Sequence, residues 1–400
     1  MKQLQLKENF WWIGTLDKDL RVFDIIMETK YGTTYNAYCL QTGAGLVLFE
    51  SVKDKFFDEF IAKISTLGKV EDIAYIVVDH TEPDHSGSIE KLLALNPKIK
   101  IISSLCAQRY LKEITNRDFD SVVVKDGERI SVGEYTLRFI SVPNLHWPDT
   151  MYTFIEELGV LVTCDSFGAH YASDEILLSK LTDHAGYEEA FAYYTTMIMG
   201  PFKTFVAKAM EKLQPIQTQI NLIAPGHGLV IDQDCASYIK RYQTFATGET
   251  SKHKSVVIPY VSAYGYTKQM ALKIQEVLKA NGISCEAYDL VEQDETMVVA
   301  KMIEADGILY GCPTLLNDAL PPIYHVMNSL IVGYHGQKLV SAFGSYGWSG
   351  EAVGNMLARL KQQRMKVADE GLKICFKPND AKLRLVEEYA QAFADKLLEK

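Results

Sequence analysis

The sequence predicts two units in one chain. The first, residues 1–250, reads as an α+β sandwich of two sheets with outer helices, and the second, 251–400, as an α/β doubly wound parallel sheet. Three observations carry this. Before residue 246, strand-like runs come in groups with helical stretches between them, as expected of two stacked sheets covered by helices. Residues 246–254 are polar and turn-rich, the best linker candidate in the chain. Beyond them strand and helix patterns alternate regularly, the mark of β-α units and a parallel sheet. Four hundred residues are ample for two or three domains, each with a sizeable core.

In order, residues 10–16, 20–27, 34–41 and 45–50 read as short strands separated by turns. Asp54 is placed to cap a helix reaching Leu67, with Phe57, Phe60, Ile61 and Ile64 at helical spacing. The apolar run 74–78 is a buried strand. A helix after Ser86, a strand at 98–103 and a helix at 107–114 follow. Strands are expected at 121–125, 134–142, 151–156 and 160–163. A helical stretch from 187 to 213 is interrupted near Gly200-Pro201, and a strand at 219–224 leads into Pro225-Gly226-His227-Gly228. The second unit predicts strands at 255–261, 284–290, 307–313, 337–344 and 366–376. Its helices are expected at 267–280, 296–305, 320–331, 350–363 and 380–399. Met270, Ile274, Val277 and Leu278 give the first of these helices an apolar face, and Asn281-Gly282 ends it.

Composition narrows the class. The chain is 48% hydrophobic and 23% charged, ordinary for a globular protein. No apolar run approaches the roughly 20 residues that span a bilayer, and the first residues lack an apolar leader segment, so a cytoplasmic protein without membrane contact is expected. The net charge of −10 argues against nucleic acid as a partner. Seven scattered cysteines include no C-x-x-C pair, which argues against a four-cysteine iron site and a disulfide framework. They read mostly as small buried hydrophobes.

The densest chemistry lies in His80-Thr81-Glu82-Pro83-Asp84-His85, directly after the buried strand. Alternate side chains of an extended segment share a face, so His80 and Glu82 can converge on one ion. Pro83 biases Glu82 away from helix. Asp84 reads either as the N-cap of the helix after Ser86 or, with His85, as a ligand turned toward a second ion. His146, Asp165 and His227 each lie just past an apolar run, where rigid elements hold ligands. Singly, a His just past a strand is more often structural or merely exposed than a ligand. Together the seven supply imidazole and hard carboxylate oxygen without thiolate, a set suited to non-haem iron rather than a closed zinc site. Three carboxylates against two dications leave one positive charge, which one hydroxide neutralises. His170, His184, His253, His325 and His335 lack comparable context.

This order resembles the metallo-β-lactamase fold, whose zinc hydrolases carry His-x-His-x-Asp-His followed by later His, Asp and His ligands. Glu82 in the second His position is similar to the flavodiiron proteins (A-type flavoproteins, class A), whose signature is His-x-Glu-x-Asp-His. That family joins a metallo-β-lactamase-like αββα sandwich to a flavodoxin-like domain, so the resemblance covers essentially the whole chain. It implies one iron on His80, Glu82 and His146, another on Asp84, His85 and His227, and Asp165 bridging them.

Three loops of the second unit make a flavin site. Ser262, Ala263, Tyr264, Gly265, Tyr266 and Thr267 run from the first strand into a helix, offering hydroxyls and helix N–H groups to a phosphate. Taken alone, this loop could be an ordinary β-α turn. Pro313, Thr314, Leu315 and Asn317 follow the third strand, and Ser345, Tyr346, Gly347, Trp348, Ser349 and Gly350 the fourth. In a flavodoxin-like sheet these loops meet at the switch point where FMN binds, and all three resemble the flavodiiron versions. Trp348 and Tyr264 are the candidates for isoalloxazine contacts; either could instead be a core aromatic.

The resemblance implies reduction of dioxygen to water, of nitric oxide to nitrous oxide, or both. Dioxygen needs four electrons; a diferrous pair gives two and a reduced flavin two. Nitric oxide needs two electrons per pair of molecules. The family further implies a head-to-tail homodimer, with a homotetramer as its extension, and rubredoxin or another reduced electron donor. The chain ends soon after the flavodoxin-like unit, so no fused rubredoxin or flavin reductase is expected. Tyr193 and Tyr194 lie in the region that places a Tyr near the family's substrate pocket. Many members have His after the early Phe of Arg21-Val22-Phe23-Asp24; Asp24 takes that place here, so the hydrogen bond of such a His is not carried over. Two rivals remain at this stage: a dizinc hydrolase with a fused flavodoxin domain, and a non-catalytic electron carrier with a dead lactamase-like domain.

Overall fold

Apolar residues at alternate positions of two sheets build the first unit of the computed structural model, which describes residues 2–24, 27–248, 254–330 and 338–399. The chain divides into Met1–Gly248 and Glu249–Lys400, and residues 249–253 of the expected linker lie outside the described part.

Among the described residues, one sheet has seven strands in the order Leu4–Lys7, Phe10–Trp12, Tyr38–Thr42, Gly45–Phe49, Ile73–Val78, Lys100–Ser103 and Asp120–Val123. Its first pairings are antiparallel and its last three parallel. Parallel neighbours need crossovers, and helices Phe57–Ile64, Ile89–Leu95 and Leu105–Thr115 lie within them. The second sheet orders Arg129–Val132, Tyr135–Ser141, Met151–Ile155, Val160–Cys164 and Leu222–Pro225, with a final parallel pair. Phe10, Trp12, Tyr38, Leu40 and Phe49 of one sheet pack with Leu137, Phe139, Ile155, Val160 and Val162 of the other. The outer faces are covered by helices carrying Phe60, Ile64, Leu92 and Leu111 on one side and Phe191, Val206, Met210 and Ile239 on the other. The result is the αββα sandwich.

Several elements differ from expectation. Asp54 opens a 3-10 turn, Asp54–Phe56, with no capping side chain, and the helix is only Phe57–Ile64. Asp84 caps nothing: it sits inside the single helical turn Pro83–Ser86, which Pro83 starts. Leu4–Lys7 and Arg129–Val132 are edge strands too short and exposed to announce themselves. Helix Cys235–Thr247 was not expected, because its buried stripe (Cys235, Tyr238, Ile239, Tyr242) has two amphipathic tyrosines. Residues 214–219 form a 3-10 helix, which delays the last strand to Leu222. The helical stretch is interrupted at Gly200-Pro201 as expected, but a π turn, Thr195–Met199, precedes the break. The segment 20–27 gives two short strands, Val22–Phe23 and Met27–Glu28; Ile25 and Ile26 lie outside the described residues.

The second unit is a parallel sheet in the order Ser284–Asp289, Ser255–Tyr260, Gly307–Gly311, Leu339–Tyr346 and Lys366–Val367, with Leu372–Cys375 also pairing Leu339–Tyr346. Helices Tyr266–Ala280 and Asp380–Leu398 cover one face; Glu295–Glu304, Pro321–Asn328 and Glu351–Gln362 cover the other. The expected strand 366–376 is split because Gly371 turns at φ 74°, where a Cβ would meet the Ala342 carbonyl oxygen at 2.6 Å.

Candidate metal centre and flavin loops

All seven predicted ligand side chains converge at the ends of strands of the sandwich. They form two groups. His80 Nε2 lies 3.2 Å from Glu82 Oε2, and His146 Nε2 lies 3.0 Å from the same oxygen. His227 Nε2 lies 3.1 Å from Asp84 Oδ2, with His85 Nε2 at 3.5 Å. Asp165 stands between them. Its Oδ2 faces His80 and His146 at 3.3 and 3.2 Å, and its Oδ1 faces His85 and His227 at 3.0 and 3.6 Å.

Local structure explains the convergence. The segment after Ile73–Val78 stays extended to Glu82, whose φ of −52° and ψ of 138° bring it alongside His80. Glu50 pins this segment by accepting from the Asp79 and His80 backbone N–H groups at 2.7 and 3.2 Å. The following helical turn carries Asp84 and His85 to the second group. Behind His227, Gly226 is obligatory, because a Cβ there would lie 2.6 Å from His85 Cε1.

The imidazoles are oriented from behind. His227 Nδ1–H donates to the Thr34 carbonyl oxygen at 2.6 Å, and His80 Nδ1 stands 3.3 Å from Asp149 Oδ2, so each turns Nε2 inward. Both Asp84 oxygens and Asp165 Oδ2 are buried without an aligned hydrogen-bond donor. Buried carboxylate oxygens left so are costly unless a cation meets them, and the donor set fits two oxygen- and nitrogen-seeking ions. Without metal, charge is balanced by protons. Burial alone would lower the pKa of His146, yet the adjacent carboxylates of Asp165 and Glu82 raise it to about 9. Burial would raise that of Asp165, but His85, His146 and His80 hold it well below the carboxylate range. Cys164 also lies near His85 and Asp165. Burial drives its thiol pKa far up, which keeps it protonated and a poor ligand.

The two tyrosines part company. Tyr194 is buried with its ring 4.8 Å from His170 and 6.1 Å from His227, while Tyr193 packs at the edge of the helix-covered core on the first sheet. Asp24 is exposed at the surface, but partial desolvation and the negative charges of Glu82 and Asp84 push its pKa up to about 6. Three contributors escaped the sequence reading. Glu50 and Asp149 are isolated acids with no motif spacing. His170 is buried 2.9 Å (Nδ1) from Thr33 Oγ1 and stacks near Phe23, Tyr194 and His227. Burial and the charge of His227 keep it neutral. His325 lies on Pro321–Asn328 of the second unit and His184 begins a helix, whereas His253 and His335 lie outside the described residues.

In the second unit the three loops sit at the carboxyl ends of Ser255–Tyr260, Gly307–Gly311 and Leu339–Tyr346, on both sides of the switch point. Ser262 Oγ accepts from the Lys268 N–H at 3.1 Å, Ala263 and Tyr264 are exposed, and Gly265 turns at φ 82° with open space where a Cβ would stand. Tyr266 and Thr267 begin the helix. Thr267 Oγ1 is buried 2.9 Å from Ser345 Oγ, and Thr314 N–H donates to the Ser345 carbonyl at 2.9 Å, tying the loops together. Pro313 is buried, Leu315 pairs with Asp318, and Asn317 has φ 60°. Ser345 and Tyr346 belong to the strand rather than the loop beyond it; Gly347, Trp348 and Ser349 follow, and Gly350 leads into the next helix at φ 87°. Tyr264 is 77%, Leu316 98% and Trp348 94% exposed, one large apolar side chain on each loop. Such a rim over a polar cradle fits a flat ring with a phosphate tail. It also answers the core alternative, since neither Tyr264 nor Trp348 is in the core.

The chain matches the ODP family beta lactamase over residues 33–228 and Flavodoxin over 258–389. It is 35% identical over 400 residues to the flavo-diiron protein FprA2 of Clostridium acetobutylicum, covering 98% of this chain and 99% of that one. To a nitric oxide reductase of Moorella thermoacetica it is 31% identical over 398 residues, covering 98% of each. The solved rubredoxin oxygen:oxidoreductase of Desulfovibrio gigas superposes with a TM-score of 0.80 at 27% identity, over 100% of this chain and 99% of that one. With whole-length identity of this order, a sandwich bearing a seven-residue cage and a flavodoxin sheet beyond it, the chain belongs to the flavo-diiron (type A flavoprotein) family.

Proposed function

We propose that this chain reduces dioxygen to water, nitric oxide to nitrous oxide, or both, at a non-haem diiron pair re-reduced by FMN. One observation carries the reading: Asp165 presents one oxygen to each imidazole pair, the disposition needed of a bridge. We assign His80, Glu82 and His146 to one iron, Asp84, His85 and His227 to the other, and Asp165 to both. When bound, the iron pair and FMN supply four electrons between them, enough for one dioxygen.

The chain's own residues prepare that chemistry. Asp149 and the Thr34 carbonyl hold His80 and His227 in the tautomer that frees Nε2. Phe23, Tyr35 and Tyr194 wall the His227 side with rings at 5.4, 5.9 and 6.1 Å, and Phe202 stands 6.2 Å from His146. These rings favour small apolar gases over water. Of the two tyrosines, Tyr194 is the one we assign to the pocket. We assign FMN to the three loops, its phosphate at Ser262–Thr267 and its ring beside Tyr264 and Trp348. The Desulfovibrio relative's name points to rubredoxin as the donor, and we take rubredoxin or a similar reduced carrier as partner. A head-to-tail homodimer in the cytoplasm completes the reading; no helix among the described residues is long and apolar enough to cross a membrane.

A dizinc hydrolase is disfavoured, because Glu82 replaces an imidazole and the flavin loops would have no task. Anaerobically purified protein should carry two irons and one FMN per chain, and consume dioxygen or nitric oxide with reduced rubredoxin. Comparing the two gases under one donor ranks the preferences. Zinc-loaded protein with hydrolase activity and no gas consumption would overturn the assignment.

A further inference from the structure

Trp147 follows ligand His146, but its indole is turned back on the cage. It stands edge-on to His80, ring centroids 5.2 Å apart at 83°, and 6.3 Å from His146. On its other side Tyr110 meets it edge-on at 6.3 Å and 84°. Tyr110 is partly exposed, and Cys106 precedes it by four residues, one turn earlier on the same face of Leu105–Thr115. Cys106 is a free, partly exposed thiol. None of the three is a ligand or lies on a flavin loop. Unlike leucine or phenylalanine, each of these three side chains can give up a single electron to a strong oxidant. Steps of this length, between rings in contact, suit electron transfer, which falls exponentially with distance.

Resting on the reading of the cage as a gas-reducing iron pair, we propose that Cys106, Tyr110 and Trp147 form a relay that delivers electrons from the surface when dioxygen reaches the ferrous pair before the flavin has been reduced. The need follows from the electron count. Dioxygen takes four electrons and four protons to give two waters, and two ferrous ions supply only two electrons. Cys106 supplies the other two: its thiol and one water give a sulfenic acid, two protons and two electrons. Electrons move singly. Trp147 loses one toward the cage and is refilled by Tyr110, whose phenolic proton leaves with its electron and returns when Cys106 refills it. In sum, two ferrous ions, one thiol, one dioxygen and two protons give two ferric ions, one sulfenic acid and one water. Two solution thiols return the sulfenic acid to the thiol: the first condenses with it to a mixed disulfide and water, and the second displaces Cys106 and leaves as a disulfide with the first.

The test uses the holoenzyme turning over with excess dioxygen, limiting reduced rubredoxin and added catalase, with a sulfenic-acid trap present. Peptide mass analysis should find trapped Cys106 about tenfold above Cys375, the other partly exposed cysteine. Trp147→Phe and Tyr110→Phe should each lower that labelling about tenfold while retaining iron and FMN, which also certifies folding. Cys106→Ser should leave a tyrosyl radical in freeze-quenched samples that Tyr110→Phe abolishes. Labelling of Cys106 that is unchanged in both aromatic variants, or independent of turnover, overturns the relay. Protein that lacks iron or consumes no gas sinks the cage reading instead, so the two failures are distinguishable.

Discussion

His80 Nδ1 lies 3.3 Å from Asp149 Oδ2, and this contact decides which nitrogen of His80 faces the cage. Asp149 is itself fixed, accepting from the Thr81 N–H and hydroxyl, both at 2.8 Å. Asp149→Ala should therefore weaken iron binding about 10- to 100-fold, the usual cost of losing an orienting partner behind a ligand. Chelator competition measures this, and FMN content should not change. Full iron retention would mean that packing alone orients His80.

Gly226→Ala should cost one metal of the two. A Cβ there lies 2.6 Å from His85 Cε1 and also crowds Nδ1 at 3.2 Å, so the ring must leave its group. Metal analysis should fall from about two ions per chain toward one, with Glu82, His80 and His146 still loaded.

Asp165→Ala should abolish gas reduction and empty most of the cage while FMN stays bound, because the flavin loops belong to the other unit. Loss of flavin absorbance in this variant would contradict the assignment of separate sites.

The metal-free protein should lose thermal stability as pH rises. Folding raises the His146 pKa from about 6.5 in an unfolded chain to about 9. A raised pKa gives stability that is complete below the unfolded value and lost as pH climbs through the folded one. Tm of chelator-stripped protein should thus fall between pH 6.5 and 9, and iron uptake in that window should release protons. Metal-loaded protein should show no such slope, since its ligand nitrogen carries no proton.

Thr267→Ala should weaken FMN retention severalfold without removing iron, in keeping with the loss of one hydrogen bond worth about 1 kcal/mol. Its hydroxyl ties the first loop to Ser345 at 2.9 Å, so slippage of that loop is part of the effect. Flavin titration of the deflavinated variant measures it.

Much of the candidate site was legible because its residues follow strands. His80, Asp165 and His227 each terminate an apolar run, and rigid elements carry such residues to one place whatever the loops between them do. Glu50, Asp149 and His170 were not legible, because their roles come from contacts 29 to 137 residues distant in sequence. No local pattern encodes these. The Tyr266–Ala280 helix was readable to within a residue from its apolar face, whereas Cys235–Thr247 hid behind tyrosines that are apolar in body and polar at the tip.

The π turn Thr195–Met199 lets one strip of chain roof both imidazole groups. Tyr194 leans toward His227 at its start and Phe202 toward His146 just past its end. Ordinary α winding advances each residue by about 100°, so deleting a single residue such as Thr196 would swing Phe202 aside while Tyr194 stayed put. Half the ceiling would then open to solvent. The cover over the two imidazole groups thus hangs on the length of a five-residue turn that supplies none of the seven cage side chains.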